Sequence, residues 1–145
     1  MKKVFLCLFL AVAIASCVKQ NEAPTIPVNE NIPPDTTGSN SNMPKYTGNF
    51  INGPYGGVTG MAKVYLQNGK YILALENISV VNGPDLHVYL SKEMPPINFI
   101  DLGKLKSTSG NQLYEIPGSP DFKEYTFALV DCQLYNHLFG SALLQ

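Results

Sequence analysis

From Lys45 onward the chain alternates apolar and polar residues with a period of two, in short runs separated by Gly, Asn and Pro. That period is the signature of half-buried strands, whose side chains point alternately to opposite faces. Lys45–Phe50 reads as a first strand. Gly60–Leu66 follows, with Ala62, Val64 and Leu66 on one face and Lys63 and Tyr65 on the other. Gln67-Asn68-Gly69-Lys70 carries the Asn-Gly pair of a tight hairpin into Tyr71–Val81. Asn82-Gly83-Pro84 turns the chain into Asp85–Ser91, and further strands are predicted over Asn98–Leu105, Gln112–Ile116, Tyr125–Leu134 and Leu138–Leu144. No window holds a helical repeat longer than about two turns. Short strands at regular spacing predict one all-β domain over residues 45–145, an antiparallel β-sandwich or a barrel-like sheet.

The first 44 residues follow a different pattern. Met1-Lys2-Lys3 is a basic start and Val4–Ile14 an apolar run broken only by Cys7. Small Ala15 and Ser16 then lead to Cys17. An apolar stretch this short cannot span roughly 30 Å of hydrocarbon, which takes about 20 residues, so it reads as a targeting segment. Ile14-Ala15-Ser16-Cys17 resembles a bacterial lipobox. The resemblance implies a signal peptide over residues 1–16 and a lipoprotein whose Cys17 is acylated on sulfur and amino group. The expected address is the cell envelope, with the membrane as a partner through that anchor. Val18 lacks the aspartate that resembles an inner-membrane retention signal, which points to the outer membrane. Residues 18–44 hold five prolines with repeated Asn, Ser and Thr, too little apolar surface to offset the entropy of ordering. Residues 17–44 are therefore expected to form a flexible tether, spanning roughly 30 Å as a 27-residue coil.

Charge and cysteine count narrow the function. The whole chain has 10 Lys and Arg against 11 Asp and Glu, and none of the ten is arginine. Removal of Lys2 and Lys3 with the signal leaves 8 against 11, a net charge of −3. Nucleic-acid readers carry a basic, Arg-bearing patch, so nucleic acid is not an expected partner. Of three cysteines, Cys7 leaves with the signal and Cys17 is occupied by lipid. Cys132 is then the one free thiol, and it has no intrachain partner for a disulfide.

Three constellations could carry chemistry. On the last long strand Ala128, Val130, Cys132 and Leu134 share a face, placing Cys132 towards the core, where cysteine behaves as a small hydrophobe. On Asp85–Ser91, Leu86, Val88 and Leu90 are expected inward and Asp85, His87 and Tyr89 outward, a candidate binding surface or simply a solvated sheet face. Asp85 and His87 at i, i+2 are two donors without a third, so no metal site is assigned. His137 follows Cys132 by five residues, and a Cys–His nucleophile pair would need a turn that brings them within hydrogen-bond reach. Cys-x-x-Cys, Cys-x-x-Cys-His, His-Glu-x-x-His and Gly-x-Ser-x-Gly are all absent. No substrate or cofactor is named by the sequence, and the chain does not read as a stand-alone enzyme.

Asn82-Gly83-Pro84-Asp85-Leu86-His87-Val88-Tyr89-Leu90 resembles the central motif of the electron-transfer DM-thirteen domain, which in animals often accompanies DOMON domains. Leu102-Gly103 to Leu105-Lys106 is similar to its Leu-Gly-x-Leu-Lys element. Gly110-Asn111-Gln112 with Tyr114-Glu115-Ile116-Pro117 is similar to its Gly-Asn-Gln…Tyr-x-x-Pro stretch. Cys132 and Phe139-Gly140-Ser141-Ala142-Leu143 are similar to its closing element. Asp131 stands where members commonly carry an aromatic residue, usually Trp, and Gly56 where a histidine is common. The resemblance spans residues 46–144 and implies a small β-rich redox module with Cys132 as the suggested active group. It also implies a redox partner of cytochrome or DOMON type. The alternative is a non-catalytic binding or scaffold lipoprotein in which Cys132 packs the core.

Overall fold

The computed structural model of the protein describes residues 22–33 and 43–145; residues 1–16, expected to be a signal peptide, and Cys17, expected to be acylated, lie outside them. Nine strands form: β1 Val28–Asn29, β2 Tyr46–Asn52, β3 Val58–Gln67, β4 Lys70–Val80, β5 Leu86–Ser91, β6 Phe99–Lys104, β7 Ser109–Ile116, β8 Phe127–Cys132 and β9 His137–Leu143. They make one sheet in the order β1-β7-β4-β3-β2-β9-β8-β5-β6. The sheet curls so far that β6 and β7 touch across the opening, giving an all-β half-barrel. All eight strands expected from the period-two pattern are present, with ends that differ by a few residues.

The local chemistry explains the register. Asn68 and Gly69 both take positive φ, 50° and 78°, as a two-residue type I′ hairpin demands. Gln67 consequently pairs with Lys70, and the ladder runs on through Val64↔Leu73 to Val58↔Val80 with one bulge. Inward residues of both halves meet in a single core: Ala62, Val64, Leu73 and Leu75 from one side, Leu86, Val88, Leu90, Ala128, Val130 and Cys132 from the other. Strand directions place the connections 53–57, 81–85, 105–108 and 133–136 at one end of the half-barrel, and 68–69, 92–98 and 117–126 at the opposite end.

Residues 22–33, inside the segment expected to be a flexible tether, lie along the sheet. Glu22 bridges to Pro84, Ala23 is buried, and β1 pairs with β7 in parallel, the one parallel contact of the sheet. The strap is held through its backbone: Thr108 N–H donates to Pro24 O at 2.8 Å and Glu30 N–H to Asn111 O at 2.9 Å. The Ser107 hydroxyl donates to Ile26 O at 2.7 Å, and Lys106 pairs with the Glu30 carboxylate at 2.7 Å. Composition misled here because these bonds use main-chain groups, which a count of apolar side chains does not register. The 30 Å coil therefore does not describe residues 22–33.

Candidate functional site

Cys132 ends β8 at the barrel end formed by 81–85 and 133–136. It is 1 % exposed and belongs to the main core, as the alternation along its strand predicts. Leu86 stands opposite it on β5. Its thiol donates to Pro84 O at 2.9 Å, so the turn before β5 holds the sulfur. That turn is tightly built. Asn82 Oδ1 accepts the Gly83 N–H at 2.9 Å, Asp85 takes positive φ, and Asp85 O accepts the Gln133 N–H at 3.1 Å. Gly83 is needed because a Cβ there would stand 2.6 Å from Phe139 Cζ. The same ring lies against Gly56, the position where the family pattern commonly has histidine. The turn that holds the thiol is thus itself packed against Phe139 and bonded to Gln133.

His137 is the register partner of Cys132 across the β8–β9 hairpin, yet no hydrogen bond joins them. The imidazole instead stacks on Tyr55, with ring centroids 3.8 Å apart and planes 2° from parallel. The Cys–His pair raised by the spacing is not assembled in this geometry.

Asp85, His87 and Tyr89 do share the face opposite the core, but it is not a solvated stripe. All six residues of β5 are buried, Asp85 just before it is half-buried, and Tyr89 packs in a second small cluster with Leu129 and Leu138. Two things cover this face. The β5–β6 hairpin folds Phe99 onto Tyr89, rings stacked at 4.2 Å, and the turn after β8 swings Gln133 over it, its Nε2 donating to the Tyr89 hydroxyl at 3.2 Å. Burial pushes the Tyr89 phenol up to about 12. The expected outward display of these residues is corrected accordingly.

A dense charge cluster lies beneath that cover. His87 Nδ1 sits 3.0 Å from Asp101 Oδ2 and its Nε2 3.6 Å from Asp85 Oδ1. Lys104 donates to Asp85 at 2.8 Å, and that bond holds the Asp85 carboxyl below the usual carboxylate range. Asp131, the cross-strand partner of His87, is 1 % exposed with neither carboxylate oxygen hydrogen-bonded, and His87 Nε2 is likewise unpartnered. Burial pushes the Asp131 carboxyl up, against the pull of His137 and His87. The sequence puts Asp131 on the polar-turning face of its strand and marks it as a departure from the family pattern, without assigning it to a charge cluster. The signal that could have found the cluster was an acidic residue on the outer face of a strand otherwise apolar on both sides. Among the described residues no three His, Cys, Asp or Glu side chains are disposed to hold a metal ion. His87 and Cys132 lie on opposite faces of the sheet, so the two do not form a joint site.

Other motif residues serve architecture. Gln112 is fully buried, and its Oε1 accepts from Lys106 N–H at 3.1 Å and from the Tyr114 hydroxyl at 2.8 Å. Its Nε2 donates to Ser107 O at 2.6 Å. Together they tie down the β6–β7 connection. A cleft of about 380 Å³ opens between the strap at Ala23 and Pro24 and the Lys104–Lys106 segment.

The family described as Electron transfer DM13 matches residues 49–144, nearly the whole half-barrel. No curated protein and no solved structure matches the chain.

Proposed function

The chain belongs to the Electron transfer DM13 family, and from that premise we propose that it is an accessory redox module of a bacterial cell envelope. In this reading lipid on Cys17 anchors it, at the outer membrane, and Cys132 is its redox-active group. The observation that carries the reading is convergence. Residues that carry the family resemblance meet here: the Cys132 thiol donates to Pro84 O at 2.9 Å, within the Asn82–Leu90 segment, and Gly83 of that same turn packs against Phe139. The step open to a lone thiol without a partner cysteine is sulfenic acid formation. Sulfur attacks one oxygen of hydrogen peroxide, the S–O bond forms as the O–O bond breaks, and the thiol proton leaves with the second oxygen as water. At 1 % exposure a mixed disulfide with a partner protein is shut out of the closed fold. Electrons are exchanged with a partner of cytochrome or DOMON type.

That same burial favours a second reading, in which Cys132 fills the core of a non-catalytic binding or scaffold module. Titration of the thiol in native and denatured protein, with mass spectrometry after peroxide, separates the two. The redox reading expects one added oxygen on native Cys132, and a Cys132→Ser protein that folds but loses electron transfer. Labelling only after unfolding, no oxygen gained in the native state, and a Cys132→Ser effect confined to stability establish the packing role.

A further inference from the structure

The half-barrel has two unlike ends, and the chain that leads to the lipid leaves from one of them. Glu22 is bridged to Pro84, and Asn82 Nδ2 donates to Ala23 O at 3.3 Å. The strap therefore enters at the end bearing 53–57, 81–85 and 133–136. Four residues lie between Cys17 and Glu22, and the five Cα-to-Cα steps span at most about 18 Å of extended chain.

This end is built for an apolar boundary. In Gly53-Pro54-Tyr55-Gly56-Gly57, Val81-Asn82-Gly83-Pro84-Asp85 and Gln133-Leu134-Tyr135-Asn136 the one Asp, Glu, Lys or Arg is Asp85, already paired with Lys104; the fourth connection at this end, 105–108, adds Lys106, paired with Glu30 of the strap. The opposite end carries Lys92, Glu93, Asp121, Lys123 and Glu124 in its connections. Four large side chains stand out from the first three of these loops: Tyr55 58 % exposed, Val81 60 %, Leu134 61 % and Tyr135 56 %. The two tyrosine rings and the Val81 backbone are held in place. Tyr55 stacks on His137, Tyr135 packs obliquely on the same imidazole at 5.8 Å, and Val81 N–H donates to Gly57 O at 2.9 Å. Tyrosines with an apolar body and a polar tip are the side chains that settle at the headgroup level of a bilayer.

We infer that this end is a membrane-docking surface, with Tyr55, Val81, Leu134 and Tyr135 resting in the lipid headgroup layer beneath the anchored protein. The inference rests on lipidation of Cys17 as proposed above. The short reach from Cys17 selects the lipid surface as occupant, because it leaves no length for the domain to stand clear of the headgroups. The acyl chains supply the affinity, and the loops set the orientation, turning the charged end outward.

The chain contains no tryptophan, so Tyr135→Trp places a single reporter on the surface and Ile97→Trp one at the opposite end. Each full-length lipidated protein is reconstituted into vesicles of phosphatidylethanolamine, phosphatidylglycerol and brominated phosphatidylcholine. Flotation and the acyl mass on Cys17 are checked first. Docking expects emission from Tyr135→Trp to be quenched at least twofold and shifted to the blue, and Ile97→Trp to stay unquenched. Leu134→Trp, on the neighbouring residue, repeats the measurement should Tyr135→Trp fold poorly. A floating, acylated protein whose reporter at 135 or 134 is unquenched overturns the docking alone. So does equal quenching at both ends, or a reporter shifted by self-association without lipid. A protein that neither floats nor carries acyl mass overturns the anchoring, and the docking with it.

Discussion

Asp131 is the residue whose charge the fold accommodates least well, and Asp131→Asn tests that directly. Both oxygens are enclosed without hydrogen-bond partners, and burial raises the carboxyl pKa against the opposing charges of His137 and His87. The folded state thus holds the proton more tightly than the unfolded chain. Stability from this group is full below the unfolded value near ~3.9 and is lost as pH rises through the raised folded value. Asparagine keeps the shape and the unpartnered polar atoms but cannot ionise, so the comparison isolates the charge. At pH 7 the variant is expected to be more stable, by about 1.4 kcal/mol for each unit by which the folded carboxyl stands above its unfolded value. For a domain of about 100 residues each kcal/mol moves Tm by roughly 4–8 °C.

The measurement is thermal unfolding of both proteins by circular dichroism from pH 4 to pH 8. The gap should be widest near neutrality and shrink towards pH 4, where Asp131 is protonated in the parent as well. The groups that face Asp131 or His87 (His87, His137, Asp85 and Asp101) are present in both proteins and largely cancel in the difference. A gap independent of pH would mean that charge is not the problem. A variant less stable at pH 7 would mean that the carboxylate is held by a partner, His137 and His87 being the two opposing charges that act on it.

Other perturbations probe the supports of the site. Gly83→Ala forces a Cβ to 2.6 Å from Phe139 Cζ and should cost about 1–3 kcal/mol by overpacking, read as a lower urea midpoint at unchanged slope. Gln112→Leu removes the acceptor of the Lys106 N–H and the Tyr114 hydroxyl and should cost about 2 kcal/mol or more; a smaller loss would show that water replaces the amide. Glu30 holds the strap. Burial pushes its carboxyl up, but the hydrogen bonds from Lys106 and Leu113 outweigh this and leave it below 4.5, so its contribution is present above that value and is lost as pH falls through the lowered one. Hydrogen-exchange protection factors in residues 22–33, corrected for the intrinsic pH dependence of exchange, should therefore fall on acidification, and Glu30→Gln should show the lower protection already at pH 7.

How far the sequence was legible depends on whether a feature is local. The Asn68-Gly69 hairpin and the inward set Leu86, Val88, Leu90 and Cys132 follow from turn chemistry and period two, and both are as expected. Alternation also put Asp85, His87 and Tyr89 on one common face. It could not say that this face is covered, because the cover comes from Phe99 and Gln133, supplied by two other segments. The strap escaped for a related reason: its hold is main-chain pairing with β7 and a Glu30–Lys106 contact between residues 76 positions apart.

The motif residues then divide by what they touch. Gln112 and Tyr114 satisfy backbone groups of the β6–β7 connection, and Gly83 makes room for Phe139. The Pro84 carbonyl receives the thiol. Each of these is spent on shape, so losing activity when any of them is changed reports on folding before it reports on electrons. On the redox reading proposed above, the sulfur of Cys132 is the atom whose replacement would remove redox capacity while the surrounding bonds can persist, since a serine hydroxyl can still donate to Pro84 O. Electron transfer in a folded Cys132→Ser protein equal to that of the parent would remove the thiol from the chemistry, whatever happens at the other motif positions.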